Sequence, residues 1–205
     1  MTTLWDQRYG SDEYAYGMEP NDFLRAEAHR IPPGPVLCLA EGEGRNAVFL
    51  AGLGHAVTAV DLSIEGLRKA ERLAKRDGVT LELIQADLAT FDLSLDRWSG
   101  IVEIFAHVPP PVRHRVHAQI PVALRPGGCL VVETYRPEQL ALGTGGPKEL
   151  TLLSSLAELR EELGSLELVV AREANRDIHE GRFHDGPGAT VQIVGLRPGI
   201  ARSPT

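Results

Sequence analysis

At 205 residues with 43% hydrophobic side chains, the chain is long enough for one well-buried core and short for two, so a single domain over residues 1–205 is expected. Twenty-eight acidic against twenty-one basic residues give a net charge of −7, and the basic ones are scattered rather than striped, which argues against nucleic acid as a partner. The opening "MTTLWDQRYGSDEY" has no basic segment leading into an apolar one, and no apolar run approaches the ~18 residues that cross a bilayer, so a cytoplasmic location away from membranes is expected.

In chain order, "PVLCLA" (35–40) is a buried strand and "RNAVFLAGLG" (45–54) a helix stopped at glycine. "AVTAVD" (56–61) is a second strand. Ser63 caps a helix whose Ile64, Leu67, Ala70 and Ala74 share one face, with Gly78 past its end. "TLELIQAD" (80–87) alternates as a third strand, "WSGIVEIF" (98–105) is a fourth, a helix follows with proline in its first turn, and "CLVVETY" (129–135) is a fifth. Strand and helix alternate throughout, which requires right-handed crossovers and a doubly wound, mostly parallel α/β sheet with helices on both faces. After residue 136 come the loop "GTGGPK", a helix near "SSLAELREELG", and two strand-like runs joined by "HEGRFHDGPG". With no helix between them, these runs should pair antiparallel at the sheet edge. Cys38 and Cys129 each sit in an apolar run and are expected as buried, reduced thiols, and the tail 201–205 is expected to fray.

Gly42, Gly44 and Ala47 satisfy the relaxed dinucleotide pattern G-x-G-x-x-A between a strand and a helix. Asp61 ends the next strand, where a carboxylate takes the ribose hydroxyls of an adenosine. NAD and S-adenosylmethionine both contain that ribose. Charge separates them: a diphosphate at this turn would meet Glu41 and Glu43, whereas a sulfonium and an ammonium would be welcome there. The helix N–H groups would then receive the ligand's carboxylate. The plainer alternative is that both glutamates only complement the helix dipole. Asp87, at a third strand end, extends the mouth toward the adenine or simply initiates a turn.

The segments "WDQRYGSDEYAYGMEPNDFL", "LAEGEGRNAVFLA", "VDLS", "QADL", "IFAHVPP", "LRPGG" and "HEGRFHDGPG" span nearly the whole chain. Together they resemble class I S-adenosylmethionine-dependent methyltransferases, within them a small bacterial group near the tellurite-resistance and thiopurine methyltransferases. Two positions depart from the usual loop: Cys38 stands where the first strand carries an acid, and Ala40 where the first glycine lies. The resemblance implies S-adenosyl-L-methionine as cofactor and S-adenosyl-L-homocysteine as its product. It brings Gly42 and Gly44 to the methionine part, with Glu41 or Glu43 taking over the charge that Cys38 does not supply, Asp61 to the ribose, Leu62 onto the adenine and Asp87 with Leu88 to its edge, and it counts Asn46 and Phe105 among the cofactor contacts. Residues 1–30 become a cover, with Tyr14, Tyr16, Gly17 and Asn21 over the ligand; an aromatic ring near a sulfonium contributes roughly 0.5 to 2 kcal/mol. The implied acceptor is a small molecule, a thiol, chalcogen oxyanion or heterocycle, and the implied assembly a monomer or homodimer.

Methyl transfer needs mostly positioning, and a base only when the acceptor must lose a proton. His107, just past the fourth strand, is the candidate base. Glu103 lies two residues before Phe105, so strand alternation places both on one face, either paired and buried or in the acceptor pocket. His107, Tyr135, His179 and His184 are the candidate acceptor contacts, the last two on a glycine-bounded loop. His114 and His117 are expected on a solvated helix face. "HEGRFH" does not satisfy H-E-x-x-H, so no metal is expected. An NAD-dependent oxidoreductase and a non-catalytic S-adenosylmethionine sensor are the competing classes.

Overall fold

The computed structural model describes residues 4–199, so the expected fraying of 201–205 falls outside the described residues. Its elements are α1 (Leu4–Tyr9), α2 (Asp22–Glu27), β1 (Pro35–Leu39), α3 (Arg45–Gly52), β2 (Ala56–Asp61), α4 (Ile64–Arg76), β3 (Leu81–Gln85) and β4 (Trp98–Ile104). Then follow α5 (Pro110–Ala123), β5 (Leu124–Tyr135), α6 (Gln139–Leu142), α7 (Leu156–Glu162), β6 (Glu167–His179) and β7 (Asp185–Leu196). Ser63 caps α4 by accepting from the Gly66 N–H, as its position before the apolar stripe predicts. Ser155 and Glu158 close a reciprocal capping box on α7.

One seven-stranded sheet runs in the order β3-β2-β1-β4-β5-β7-β6. β1 to β5 are parallel, and β7 lies antiparallel between β5 and β6. The strand order reverses between β1 and β4, which opens the crevice where ligands sit in such sheets. Alternation fills two core layers. Leu37, Leu39, Ile101, Leu130 and Val132 pack with Val116 and Ile120 of α5 and Leu159 of α7, while Val36, Cys38, Val102, Ile104 and Val131 pack with α2 and α3. Each fully buried aliphatic side chain contributes about 1.5 to 3 kcal/mol. Both cysteines are buried and unpaired. No helix among the described residues is long and apolar enough to cross a membrane.

Two expectations about faces are corrected. His117 is not on a solvated surface: it is buried against the sheet, its Nε2 3.1 Å from Glu103 and its Nδ1 2.6 Å from Glu162, while His114 stays exposed. And Glu103 does not share a face with Phe105. Phe105 has a left-handed backbone, φ +52°, which breaks the pleat and swings its ring onto the layer of Val102 and Ile104, leaving Glu103 under α5.

His117 therefore sits between two carboxylates, with Arg113 also bonded to Glu162. Burial opposes its charge, but Glu103 and Glu162 outweigh that and raise it to about 9. A raised pKa stabilises the fold fully below the unfolded value near 6.5 and ceases to do so as pH rises through about 9. Urea denaturation is expected to show an alkaline loss on the order of 3 kcal/mol across that window, absent in His117→Gln. Equal alkaline limbs in the two proteins would refute the assignment.

Candidate functional site

β1 runs into a tight loop because Ala40 (φ +48°), Gly42 (φ +62°) and Gly44 (φ +91°) all take left-handed backbone. Ala40 thus holds the conformation its missing glycine would have had, with the strain that functional sites often store. At Gly44 a side chain is excluded by packing: a Cβ would come within 2.5 Å of Ala70 on α4. Glu41 folds back over the start of α3, its Oε1 accepting from the N–H groups of Asn46 and Ala47 at 2.9 Å each. Burial raises its carboxyl to about 7, against the pull of those two donors and of Arg45. The helix N-terminus expected to receive a ligand's carboxylate already holds one from the chain itself.

Asp61 closes the opposite wall. Its two oxygens accept from the Gly42 N–H at 2.8 Å and the Ser63 N–H at 2.7 Å. Burial pushes its carboxyl up, the two backbone donors pull it down, and each oxygen keeps a further lone pair. Leu62 is exposed beside it, Leu88 is in the core, and Asp87 is exposed, holding a turn through the Ala89 N–H. Tyr9 lies directly over the loop, so that a Cβ on Gly42 would be 2.6 Å from its hydroxyl.

Glu43 is not turned into the opening. It accepts from the Ala15 and Tyr16 N–H groups and pairs with Lys69 at 2.5 Å, both side chains being almost wholly buried. Lys69 also donates to the Ser11 and Glu13 carbonyls, and the Tyr14 hydroxyl to the Lys69 carbonyl. Tyr14 thereby packs on α4 rather than over the cleft. Tyr16 does reach the mouth: its hydroxyl accepts from Arg8, and its ring lies 4.6 Å from that of His184. Gly17 meets Gly181 of the β6–β7 turn so closely that a Cβ on Gly181 would approach the Gly17 nitrogen to 2.4 Å. Asn21 caps α2 and donates to Glu133 and Glu180, while the Asn46 side chain accepts from the Asn21 N–H.

The candidate acceptor residues divide. His107, Tyr135 and His184 come together with Phe105: ring centroids are 4.6 Å apart for Phe105 and Tyr135, 4.6 Å for Phe105 and His184, and 5.6 Å for His107 and Tyr135. His179 is not among them; it is exposed and paired with Asp185 at 2.6 Å. Glu103 accepts a hydrogen bond from His117 Nε2, although its charge is felt at His107. Burial holds His107 down at about 4 and His184 well below the ordinary histidine range. Among the described residues no group of three or more His, Cys, Asp or Glu side chains is arranged to hold a metal.

Sequence reasoning missed Tyr9, Lys69, Arg45, Glu133, Arg176 and Glu180. Arg176 pairs with Glu133 and Glu180, and Arg45 with Glu180 at 2.6 Å, behind the acceptor cluster. One Arg45 guanidinium nitrogen, Nη1, is buried without a partner. The available signal was the charge of "GRN" directly after the glycine loop, which the pattern G-x-G-x-x-A ignores.

Residues 36–128 match the sequence model of a family described as a methyltransferase domain. The uncharacterized methyltransferase YbaJ of Bacillus subtilis (strain 168) is 38% identical over 60 residues, 28% of this chain, and the match spans about a quarter (24%) of that relative's length. The structure reported as "Conversion of a Disulfide Bond into a Thioacetal Group during Echinomycin Biosynthesis" superposes with a TM-score of 0.77 at 20% identity, covering 98% of this chain and 93% of that one. TehB from Haemophilus influenzae superposes at 0.69 with 16% identity, covering 94% and 65%. At these identities the structural likeness establishes the fold alone.

Proposed function

From a chain whose residues 36–128 match a methyltransferase-domain model and whose fold is that of the class I methyltransferases, we propose that the protein moves the methyl group of S-adenosyl-L-methionine to a small-molecule nucleophile: a thiol, chalcogen oxyanion or heterocycle. The observation that carries this reading is Glu41 seated on the α3 N-terminus. A diphosphate placed there would have to displace both hydrogen bonds to Glu41, which are charge-assisted only above the carboxyl's titration at about 7, and then meet that side chain. Glu43, by contrast, adds little repulsion because Lys69 neutralises it.

The residues fit the cofactor. Asp61 has lone pairs left for two ribose hydroxyls, and Leu62 offers an apolar surface beside it. Arg45, through its unpartnered Nη1, is the group we assign to the methionine carboxylate, since Glu41 has taken the helix donors. Bound there, the cofactor supplies an electrophilic methyl on a positively charged sulfur. Phe105, Tyr135, His107 and His184 line the acceptor side, orienting the nucleophile and keeping water away.

Titration calorimetry tests the reading. S-adenosylhomocysteine is expected to bind the full chain and NAD to give no heat; the reverse would replace the methyltransferase by an oxidoreductase.

A further inference from the structure

Arg45 is held by a chain of buried charges that begins away from the glycine loop. Glu133 on β5 accepts from Arg176 at 2.7 and 3.0 Å, and Arg176 Nη2 donates to Glu180 Oε1 at 2.6 Å. Asn21 Nδ2 donates to the same oxygen at 3.0 Å, so Glu180 is a fixed post rather than a side chain that follows its partner. Its other oxygen, Oε2, lies 2.6 Å from Arg45 Nη2 as an ion pair off the line of a hydrogen bond, the two side chains being 8% and 5% exposed. That leaves Arg45 Nη1 as the buried donor without a partner. The Arg45 charge acts on Glu41 on one side and on Tyr135 and His184 on the other, which puts the guanidinium between the glycine loop and the ring cluster. Glu180 also opens the β6–β7 turn, where its N–H donates to the His184 carbonyl at 2.8 Å and binds the two residues together.

We propose that Glu180 is a positioning residue: it fixes the plane of the Arg45 guanidinium so that Nη1 meets the cofactor's carboxylate, and it thereby ties cofactor occupancy to the β6–β7 turn that carries His184. The inference rests on the methyl-transfer reading above and on Arg45 as the carboxylate's partner. Two arginines and two glutamates leave this group without net charge, so excess positive charge does not draw the carboxylate in. Direction has to supply the attraction instead. A guanidinium carries its donors in a rigid planar fork, and holding Nη2 in place fixes where Nη1 points. An arginine free to turn would have to be immobilised by the ligand itself, which lowers affinity. A buried ion pair is a weak source of net stability, which leaves orientation as what this one contributes.

The test compares S-adenosylhomocysteine with its decarboxylated analogue, which keeps the adenosine, the sulfur and the ammonium, on the full chain. Glu180→Asp keeps the charge but withdraws it by one methylene. In calorimetry it should weaken S-adenosylhomocysteine by up to about tenfold, the worth of one immobilised side chain, and leave the analogue's affinity unchanged. In an Arg45→Met background the same substitution should change neither ligand, because the two residues act through one contact. No loss, equal losses for both ligands, or a loss that persists beside Arg45→Met would overturn the inference. Hydrogen exchange on the unaltered chain depends on no variant: S-adenosylhomocysteine should slow amide exchange in the turn 180–184, and the analogue should not. Protection by both ligands or by neither overturns the inference as well. Failure of S-adenosylhomocysteine to bind the parent would instead sink the methyl-transfer reading, whereas binding without these differences sinks only the positioning role.

Discussion

Asp61→Ala is expected to weaken S-adenosylhomocysteine binding by roughly 10²–10⁴-fold, since two charge-assisted hydrogen bonds at about 1.5 to 3 kcal/mol each are removed. The same carboxylate ties Gly42 to Ser63 across the ends of β1 and β2, so part of the loss will come from a loosened loop. Asp61→Asn separates the two contributions, because the amide keeps one acceptor for the loop but cannot take both ribose hydroxyls and both backbone donors. Calorimetry on variants with a parental melting temperature is the measurement. An Asp61→Ala protein that binds as tightly as its parent would take Asp61 out of the site.

The second large effect concerns stability. Glu133 is fully buried on β5 and accepts from Asn21 at 2.6 Å, Arg176 at 2.7 and 3.0 Å, Gln192 at 2.8 Å and Thr190 at 3.2 Å. Removing it leaves the Arg176 charge and several donors buried with fewer partners. Glu133→Ala is therefore expected to lower the unfolding free energy by about 3 to 5 kcal/mol, against a smaller loss for Glu133→Gln, which keeps an acceptor oxygen. Urea unfolding monitored by circular dichroism decides it. A loss below about 1 kcal/mol would mean that the network relaxes around the vacancy.

The sheet was legible because each strand advertises itself locally: "AVTAVD" and "CLVVETY" are short runs dominated by apolar and β-branched residues, and Ser63 announces α4. The loop at 41–44 and Asp61 were legible as a pair for the same reason, being fixed by their places at strand ends. Chain-distant contacts were not. Glu43 finds Lys69 and Glu133 finds Asn21 only once the chain has folded, and nothing in either neighbourhood marks the partner. α1 and α2 are six residues each, too short for a periodicity to declare itself. Phe105 misled through its backbone, since alternation is valid only while the pleat continues. His117 misled because "RHRVH" looks polar, whereas two carboxylates make a buried imidazolium tolerable.

The segment that carries Tyr9 and Tyr16 is fastened unevenly. At Lys69 and Glu43 a buried ion pair anchors it like the pin of a hinge. At the far end it meets the β6–β7 turn backbone on backbone at Gly17 and Gly181, with the Tyr16 ring on Phe183 and His184 and Asn21 donating to Glu180. Tyr9 fills the space against Gly42, so on the methyl-transfer reading this segment would have to move for cofactor to enter and spent cofactor to leave.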